Sequence, residues 1–489
     1  MIRTLIAALL LLAAQSGAPP TPAPKPTGPV YVGNPATHFR LESRPLGVDG
    51  DGAARWLVIA HFLDAEDRET KILANSDLDW TSDTGHVQWQ TRMRYDDPAA
   101  IVSTTLAGPV TLRVHANKPA LGTLRITTDT RAWHIPPMVA QPLGPHMIQL
   151  GFFPRTAAPV RLYRGGRLLA TLPTGTSTYR DASLRADAHY AYRATFGKHA
   201  DAVAVATPPE LPATSVAMAS GKGMWLYWSA NPIDDDYVGK LDPDAIVAQA
   251  VKARLHYVEI RTAYGAFWQI PPDARPRVDA IIDGLAEHGI VPMGWTVPRE
   301  ATFEDVSAAV RTAQYRTVKG TRLLGLAIDL ERGSDFMGGD PHGLAALWQY
   351  EKYLREAVGP KYLIVATVED PSFEHLDESK YPFREIARYA DVLQPMAYWR
   401  MMRRTPTTPD LVKTLMQKSV TTLLALSGRT LPVSIGGQTT AEGRNGYPPA
   451  AEITASLDGA KAAGAIGVCY FDWKGTQPYQ WDALAAYDW

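Results

Sequence analysis

Apolar and polar positions follow two different patterns along this chain. From about residue 222 onward, short apolar runs of strand length alternate with longer stretches whose apolar residues recur every three to four positions, as in amphipathic helices. The alternation repeats eight times up to residue 489. Strands that alternate with helices form parallel sheets. The pattern therefore predicts a (β/α)8 barrel over residues 222–489.

The predicted barrel elements have ordinary lengths. Strands are expected at residues 224–228, 257–262, 290–297, 323–331, 362–369, 392–399, 431–436 and 466–472. Helices are expected at residues 242–255, 275–288, from Thr302 onward, 343–358, 383–389, 410–427, 450–463 and 481–487. In such a barrel the C-terminal ends of all strands share one surface, the mouth, where the chemistry of this fold takes place.

The fourth predicted strand, residues 323–331, ends in two carboxylates. Side chains alternate along a strand, so one face of this run is bulky and the other is small and acidic. The bulky face comprises Leu324, Leu326, Ile328 and Leu330, and the other face comprises Gly325, Ala327, Asp329 and Glu331. The bulky face suits packing against helices, and the small face suits the inside of a barrel. Buried acids are costly unless they are used, which favours catalysis over helix capping or ion pairing.

Residues 30–207 lack the helical period and show short β-prone runs between turn signals. Over residues 30–140 the runs predict an immunoglobulin-like β-sandwich, similar to the accessory Ig-like domains found ahead of carbohydrate-active enzyme barrels. These runs, with one turn cluster at 49–52, are residues 56–60, 87–91, 110–114 and 124–127. Over residues 145–207, Gly165-Gly166 separates two alternating runs, which is a strong hairpin signal. The order of runs there resembles a fibronectin type III module, which we expect to be a spacer.

The first 29 residues have the composition of an export signal followed by a tether. Arg3, the apolar run 5–14 and Ala14-Gln15-Ser16 predict a signal peptide over residues 1–16. The Pro-rich residues 17–29 predict an extended linker. No later stretch reaches the roughly 18 apolar residues of a membrane span. We therefore expect a secreted or periplasmic protein with no transmembrane anchor after signal cleavage.

Composition excludes several function classes. The 489 residues carry a formal net charge of −1, which gives no general attraction to nucleic acid or anionic membranes and is compatible with a neutral glycan. The chain has no phosphate-binding glycine loop and no HExxH motif, and its histidines lack metal-ligand spacing. We expect no cofactor, no metal and no nucleic-acid partner; the oligomeric state stays open. Cys469, the single cysteine, permits no internal disulfide and lies in an apolar strand that favours a core position.

Aromatic and acidic residues recur at the predicted strand ends. They are Tyr227, Trp228, Glu259, Trp295, Asp329, Glu331, Glu369, Gln394, Tyr398, Trp399, Gln438, Asp472 and Trp473. Flat aromatic faces stack on sugar rings, carboxylates and amides bind hydroxyl groups, and carboxylates supply the acid–base chemistry of glycoside cleavage. Core packing is the alternative for each aromatic taken alone, but their recurrence at strand ends predicts a glycan-binding cleft.

Three short motifs carry a resemblance to a known family. Asp329-Leu330-Glu331, Met396-Ala397-Tyr398-Trp399 and Asp472-Trp473 lie at the ends of strands four, six and eight. They resemble the strand-end motifs of chitinase-like family 18 glycoside hydrolases, over roughly residues 222–489. The resemblance implies that Glu331 protonates the glycosidic oxygen and that Asp329 positions Glu331 and adjusts its pKa. It also implies that Tyr398 holds the reacting sugar or its N-acetyl group, and that Trp473 forms the floor of the sugar site.

The chain also departs from that family. Leu324, Ala327 and Trp399 stand where the family has aspartates, and the short Asp-x-Glu also resembles lysozyme-like family 25 barrels, which cut peptidoglycan. Repulsion between Asp329 and Glu331 is expected to raise one pKa, so that Glu331 stays protonated near neutrality while Asp329 is charged. If no N-acetyl group assists, Asp472, Glu369 or Glu259 is the second carboxylate, in that order of preference.

The sequence therefore predicts an exported glycoside hydrolase with two β-sandwich modules ahead of a (β/α)8 barrel. Its expected substrate is a β-linked polysaccharide or cell-wall glycan, cleaved by carboxylate general acid catalysis with or without N-acetyl assistance. One alternative is a non-catalytic glycan-binding protein on a degenerate hydrolase barrel, which the missing aspartates favour. A second is an adhesive surface protein whose sandwich modules bind the ligand.

Overall fold

A computed structural model describes most of the chain after the N-terminal segment. The described residues are 31–32, 34, 37–48, 53–72, 78–82, 88–93, 98–105, 108–116, 129–153, 158–182, 184–230, 234–265, 267–299, 303–332, 343–374, 376–401, 407–441 and 446–489. Five of the sequence-based predictions lie outside them. These are the signal peptide 1–16, the linker 17–29, the turn 49–52, the run 124–127 and the helix start at Thr302.

The first part of the described chain is built from antiparallel strands. Its strands are β1 (Tyr31–Val32), β2 (His38–Val48), β3 (Ala54–Leu63), β4 (Lys71–Ile72), β5 (Leu78–Ser82), β6 (Gln88–Met93), β7 (Pro98–Thr104), β8 (Gly108–Ala116) and β9 (Asp129–Ile135). They form a four-stranded sheet in the order β2-β3-β7-β6, a three-stranded sheet β5-β8-β9 and the pair β1-β4. The predicted β-rich character is confirmed, and the immunoglobulin-like topology stays a prediction.

Two further antiparallel sheets follow. Their strands are β10 (Met138–Gly144), β11 (Met147–Phe152), β12 (Val160–Arg164), β13 (Arg167–Leu172), β14 (Thr178–Ala182), β15 (His189–Phe196) and β16 (His199–Ala206). The sheets have the orders β10-β11-β14 and β13-β12-β15-β16. The β12–β13 hairpin turns at Gly165 and Gly166, both with positive φ, so this predicted turn is confirmed. The fibronectin type III assignment over residues 145–207 stays a prediction, and β10 (Met138–Gly144) lies ahead of that range.

Parallel strands and helices alternate through the rest of the chain. The strands are β17 (Gly221–Leu226), β18 (Tyr257–Tyr264), β19 (Phe267–Trp268), β20 (Val291–Val297), β21 (Leu326–Leu330), β22 (Ile364–Val368), β23 (Val392–Pro395), β24 (Ser434–Gln438) and β25 (Gly467–Phe471). The α-helices are α1 (Pro243–Lys252), α2 (Arg275–Glu287), α3 (Phe303–Ala313), α4 (Gly343–Val358), α5 (Pro371–Glu374), α6 (Phe383–Tyr389), α7 (Pro409–Ser427), α8 (Ala450–Ala462) and α9 (Pro478–Ala486). Short 3-10 turns lie at Val216–Ala219 and Val238–Lys240.

The parallel strands curl into a barrel. Their order is β23-β22-β21-β20-β18-β17-β25-β24, and β19 pairs antiparallel with β18 at one end. The two outermost strands approach each other through parallel bridges between Leu393 and Val433 and between Met396 and Gly436. The predicted (β/α)8 architecture is therefore confirmed as a near-closed parallel barrel. None of the helices in the described ranges has the length and apolar composition to cross a membrane.

Local sequence signals set the helix ends. Helix α7 begins after Thr408, whose side chain accepts a hydrogen bond from the Leu411 N–H, and Pro409 occupies its first turn, where no N–H partner is required. The helix ends at Gly428, whose φ of 66° is the left-handed conformation that glycine adopts readily. These signals end the helix ahead of the loop that leads to β24.

Two apolar layers divide the barrel residues. The outer layer, between strands and helices, contains Leu326, Ile328 and Leu330 of β21. The inner layer, inside the barrel, contains Ala327 of the same strand. The predicted alternation of the fourth strand is thus confirmed, and it places the Asp329 side chain on the inner face.

Candidate active site

Aromatic rings line the inside of the barrel toward its mouth. The ring centroids of Trp225 and Trp295 lie 6.1 Å apart, and those of Tyr227 and Trp295 lie 6.2 Å apart. The ring centroids of Tyr398 and Phe471 lie 5.8 Å apart. These rings are contributed by four different strands or strand ends, so the mouth has an aromatic wall against which a sugar ring can stack.

Asp329 and Glu331 stand together at the end of β21. The Asp329 side chain is buried, with 6% of its residue surface exposed, whereas Glu331 is half-buried. Burial, followed by the nearby charges of Glu331 and Glu369, raises the pKa of Asp329 well above its usual value. The Trp295 side chain, as a hydrogen-bond donor, opposes this rise.

The direction of the Asp329 pKa shift runs against the protonation order that the sequence suggested for this pair. The sequence suggested a charged Asp329 beside a protonated Glu331, whereas burial and the neighbouring carboxylates raise the pKa of Asp329 itself. The physical reason is depth, because the more buried carboxylate loses more hydration when it ionises. Spacing along a strand shows that two acids repel each other, but it does not show which one lies deeper.

Glu369 adds a third carboxylate next to the pair. It follows β22, is buried, and accepts a hydrogen bond from the Arg332 backbone N–H at 3.2 Å. The Arg332 Nε lies 3.4 Å from the same Glu369 oxygen. Burial raises the pKa of Glu369, and Arg332 opposes that rise. Across the described residues, no group of three or more His, Cys, Asp or Glu side chains is arranged to hold a metal ion.

Asp472 lies on the opposite side of the mouth and is held by two donors. The Tyr227 hydroxyl donates to Asp472 Oδ2 at 2.9 Å, and the Gly475 backbone N–H donates to Oδ1 at 2.5 Å. The Tyr227 ring stacks on Phe471, with centroids 5.9 Å apart and an interplanar angle of 8°. The Arg261 guanidinium lies 4.6 Å from the centroid of the Tyr227 ring. Asp472 is thus fixed in an aromatic and cationic surrounding.

A chain of polar side chains crosses the barrel interior. The Thr367 hydroxyl donates to Gln394 Oε1 at 2.6 Å, and Gln394 Nε2 donates to Glu259 Oε1 at 2.9 Å. Thr367 pairs in register with Asp329 on one side and with Gln394 on the other, so the chain begins beside the acidic pair. Glu259 and Gln394 are fully buried. They support the inner wall of the barrel instead of lying on the surface that a glycan would touch.

The buried Glu259 carboxyl makes the stability of the protein depend on pH. Burial raises the pKa of Glu259 to about 7, above its ordinary value of 4.5. The folded protein therefore binds more protons than the unfolded chain between these values, and stability falls as pH rises through this window, by up to about 3 kcal/mol. We expect Glu259→Gln to remove this loss, so that the variant gains stability over the wild type at pH 8 but not below pH 4.5.

Urea unfolding followed by tryptophan fluorescence at several pH values between 4 and 8 measures this difference. The Gln side chain still accepts from Gln394, which keeps the polar chain intact. If the difference in stability between the variant and the wild type is the same at every pH, the raised pKa of Glu259 is contradicted.

Three predicted sugar-binding tryptophans do not reach the mouth. Trp228 and Trp399 are completely buried in the outer layer, where Trp228 Nε1 donates to the Gln269 carbonyl at 2.7 Å and Trp399 Nε1 donates to Glu452 Oε2 at 2.8 Å. The Trp473 ring packs on the same outer layer, and its centroid lies 5.0 Å from that of the Trp481 ring of α9. Trp228 and Trp399 each follow an inward-facing tyrosine, so strand alternation turns both toward the helices.

Gln438 is also occupied by the protein itself. Its Oε1 accepts from the backbone N–H groups of Arg400 and Met401, at 3.0 and 3.3 Å, and its Nε2 donates to the Thr440 carbonyl. The side chain is fully buried. It holds the turn after β23 through these contacts.

Two inward-facing aromatics were missed by the sequence analysis. Trp225 and Phe471 both belong to the inner layer, and Phe471 touches Tyr227 and Tyr398. Strand alternation contains the signal for both, because Trp225 precedes Tyr227 by two residues and Phe471 follows Cys469 by two. Cys469 lies fully buried in the same layer, as predicted for a small core residue.

Comparisons with known proteins give remote structural similarities only. No family model and no curated protein matches the chain. Among solved structures, it is similar to the spore cortex-lytic enzyme SleL of Bacillus cereus, with 11% identity, 58% of this chain and 76% of that chain covered, and a TM-score of 0.38. A chitinase from Chromobacterium violaceum has 12% identity, 54% and 98% coverage and a TM-score of 0.37. An endo-beta-1,4-mannanase from Thermotoga petrophila has 12% identity, 54% and 75% coverage and a TM-score of 0.37. Similarities of this size do not assign an activity to the chain.

Proposed function

We propose that this protein is a glycoside hydrolase whose active site is the mouth of the barrel. The observation that carries the proposal is the pair Asp329 and Glu331 at the end of β21, in which burial and the neighbouring carboxylates raise the pKa of Asp329 well above its usual value. A carboxylic acid that retains its proton near neutrality is what protonation of a glycosidic oxygen requires. The aromatic wall formed by Tyr227, Trp295 and Phe471 supplies the sugar-binding surface.

In this proposal the pair works with one shared proton. The proton resides on the deeper Asp329 in the unliganded protein, while Glu331 is the more exposed of the two. A bound glycan would remove water from Glu331, which raises its proton affinity and draws the proton toward it. Glu331 then donates the proton to the leaving oxygen, which departs as a neutral hydroxyl, and the negative charge left on the pair balances the positive charge that develops at the anomeric carbon of the other sugar. Tyr398 is placed to steady the reacting sugar.

The second group of the reaction depends on the substrate. With an N-acetylhexosamine, the substrate's own N-acetyl oxygen attacks the anomeric carbon. Without it, Asp472 or Glu369 serves as nucleophile or base, because both lie at strand ends of the mouth. Glu259 is the weakest of the three predicted candidates, since it is fully buried and already bonded to Gln394.

The proposed substrate is a β-linked polysaccharide or cell-wall glycan outside the cytoplasm. The export signal predicted at residues 1–16 supports a secreted or periplasmic location. We interpret the antiparallel sheets β2–β9 and β10–β16 as immunoglobulin-like and fibronectin type III-like modules. They would then precede the catalytic barrel as accessory domains. Neither module contributes a residue to the acidic pair.

A hydrolysis screen tests this function directly. The purified protein is incubated with chitin oligosaccharides, peptidoglycan and β-mannan, and the released sugars are identified by mass spectrometry. We expect new reducing ends from at least one of these glycans. Saturable binding with no product from any of them would favour the second candidate, a non-catalytic glycan-binding barrel. Ala327 and Leu324, which stand where acids are found in the resembling family, are the observation that supports this alternative.

A further inference from the structure

One carboxyl group inside the barrel has no part in the reaction proposed above. Glu259 is the third residue of β18, so it lies deeper in the barrel than the strand ends that form the mouth, and it is fully buried. Burial of an ionisable group is costly unless its charge serves another group. The side chains around Glu259 show which other group its charge can act on.

Hydrogen bonds lead from Glu259 to the strand beside Asp329. Gln394 Nε2 of β23 donates to Glu259 Oε1 at 2.9 Å, and the Thr367 hydroxyl of β22 donates to Gln394 Oε1 at 2.6 Å. Thr367 is the register partner of Asp329, and neighbouring strands lie about 5 Å apart. The Thr367 hydroxyl fixes which end of the Gln394 amide faces Glu259. The position of the Glu259 carboxyl is therefore set relative to Asp329.

Two indole rings form a second connection between the same carboxyl groups. The ring centroids of Trp225 and Trp295 lie 6.1 Å apart, with an interplanar angle of 45°. The Trp225 side chain is a hydrogen-bond donor toward Glu259, and the Trp295 side chain is one toward Asp329. Each carboxyl group thus faces one ring of the same pair. Charges in such a buried interior are screened less than charges in water.

The other titratable groups next to Glu259 stay neutral around pH 7. Tyr257 precedes Glu259 by two residues on β18, and Cys469 comes from β25; burial raises the pKa of both well above the ordinary value. Arg261 follows Glu259 by two residues, and its guanidinium lies over the Tyr227 ring toward the mouth. The other strands around this interior present the uncharged side chains of Trp225, Met293, Trp295, Thr367, Gln394 and Ser434.

The charge of Glu259 acts on Asp329 in a defined direction. Burial raises the pKa of Asp329, and the charges of Glu331, Glu369 and Glu259 raise it further. Burial also raises the pKa of Glu259, to about 7. Near neutral pH, therefore, Glu259 begins to carry a negative charge that makes it harder for Asp329 to lose its proton.

We propose that Glu259 is a positioning residue of the acid pair, which acts on Asp329 from inside the barrel without touching the substrate. The inference rests on the proposed glycoside hydrolase function and deepens it, because it adds a third group to the control of the proton that Glu331 delivers. Ionisation of Glu259 keeps the pair protonated to higher pH. The mouth then stays active through neutrality.

Profiles of rate against pH for the wild type and the Glu259→Gln protein test this inference. The amide keeps the size of the side chain and removes its charge. We expect the basic limb of kcat/KM to move to lower pH by about half a unit in the variant. KM at pH 5 should be unchanged, since Glu259 does not touch the substrate.

The matched control is Glu351→Gln. Glu351 of α4 is also fully buried, and burial followed by the charge of Glu385 of α6 raises its pKa well above the ordinary value. It lies on a helix outside the barrel strands, so the variant should keep the wild-type profile. Circular dichroism establishes that both variants are folded.

Infrared difference spectroscopy over the same pH range gives a readout that needs no hydrolysis. The band of the protonated Asp329 carboxyl is assigned as the one that the Asp329→Asn protein lacks. In the Glu259→Gln protein this band should disappear at lower pH than in the wild type. In the Glu351→Gln protein it should disappear at the wild-type pH.

Three outcomes would overturn the inference. The first is an Asp329 band that titrates identically in the Glu259→Gln protein and the wild type, and the second is a basic limb that does not move although the band does. The third is an equal displacement in the Glu351→Gln protein, which would show a general effect of buried charge. If the hydrolysis screen yields no product but the Asp329 band is displaced, the proposed catalytic function fails and the coupling between Glu259 and Asp329 stands.

Discussion

Glu331→Gln is expected to lower the rate of glycan hydrolysis by about 10³-fold, because the amide cannot donate a proton to the glycosidic oxygen. The substitution keeps the size of the side chain, and Glu331 is only half-buried, so the fold should be retained. The rate is measured on whichever glycan the wild-type protein cleaves, with circular dichroism to verify folding. The wild-type rate should also fall as pH rises through the pKa of the Asp329–Glu331 pair, since the pair must hold one proton.

The matched control for this experiment is Glu287→Gln. Glu287 is an exposed residue at the end of α2 that pairs with Lys319 at 3.0 Å, and it lies outside the mouth. The Glu287→Gln protein should hydrolyse glycans at the wild-type rate. Asp329→Asn is expected to lower the rate as well, because Asp329 holds the shared proton. Full activity in the Glu331→Gln protein would refute the assignment of Glu331 as the general acid.

Glu452→Leu is expected to destabilise the barrel by about 4 kcal/mol. Glu452 of α8 is buried and accepts from Arg400 Nε at 2.7 Å, from Arg400 Nη2 at 2.8 Å, from Trp399 Nε1 at 2.8 Å and from the Thr407 hydroxyl at 2.8 Å. Removing the carboxylate leaves a largely buried guanidinium and an indole N–H without their acceptor. The free energy of unfolding is measured by urea titration at pH 7.

The same contacts give this prediction a pH signature. Burial acts to raise the pKa of Glu452, but the hydrogen bonds from Arg400, Trp399 and Thr407 outweigh it, so the pKa lies below its usual value. A lowered folded-state pKa stabilises the protein above the usual carboxyl pKa, and this stabilisation is lost as the pH falls. The wild-type advantage over Glu452→Leu should therefore shrink toward acidic pH. Glu287→Leu serves as the control, and a Glu452→Leu variant as stable as this control would refute the role of the Glu452 cluster.

Residues near strand ends show where prediction from sequence stops. Alternation along β18, β20, β21 and β23 correctly turned Glu259, Trp295, Asp329 and Gln394 inward, because a strand leaves only two directions for each side chain. Three tryptophans at strand ends suggested a sugar site. They are Trp228, Trp399 and Trp473, and each comes directly after a residue that was expected to face the mouth. Each of them packs between the barrel and its helices. Their partners, such as Glu452 for Trp399, are distant in sequence.

The sequence by itself determined the near-closed parallel barrel, the β-rich part ahead of it and the inner face that bears Asp329, because periodicity and turn residues are local properties of the chain. Tertiary structure decided how deeply Asp329 is buried and which aromatics face the mouth. Burial depth sets the pKa of Asp329. Contacts between segments far apart in the chain set the rest, and no local pattern encodes either quantity.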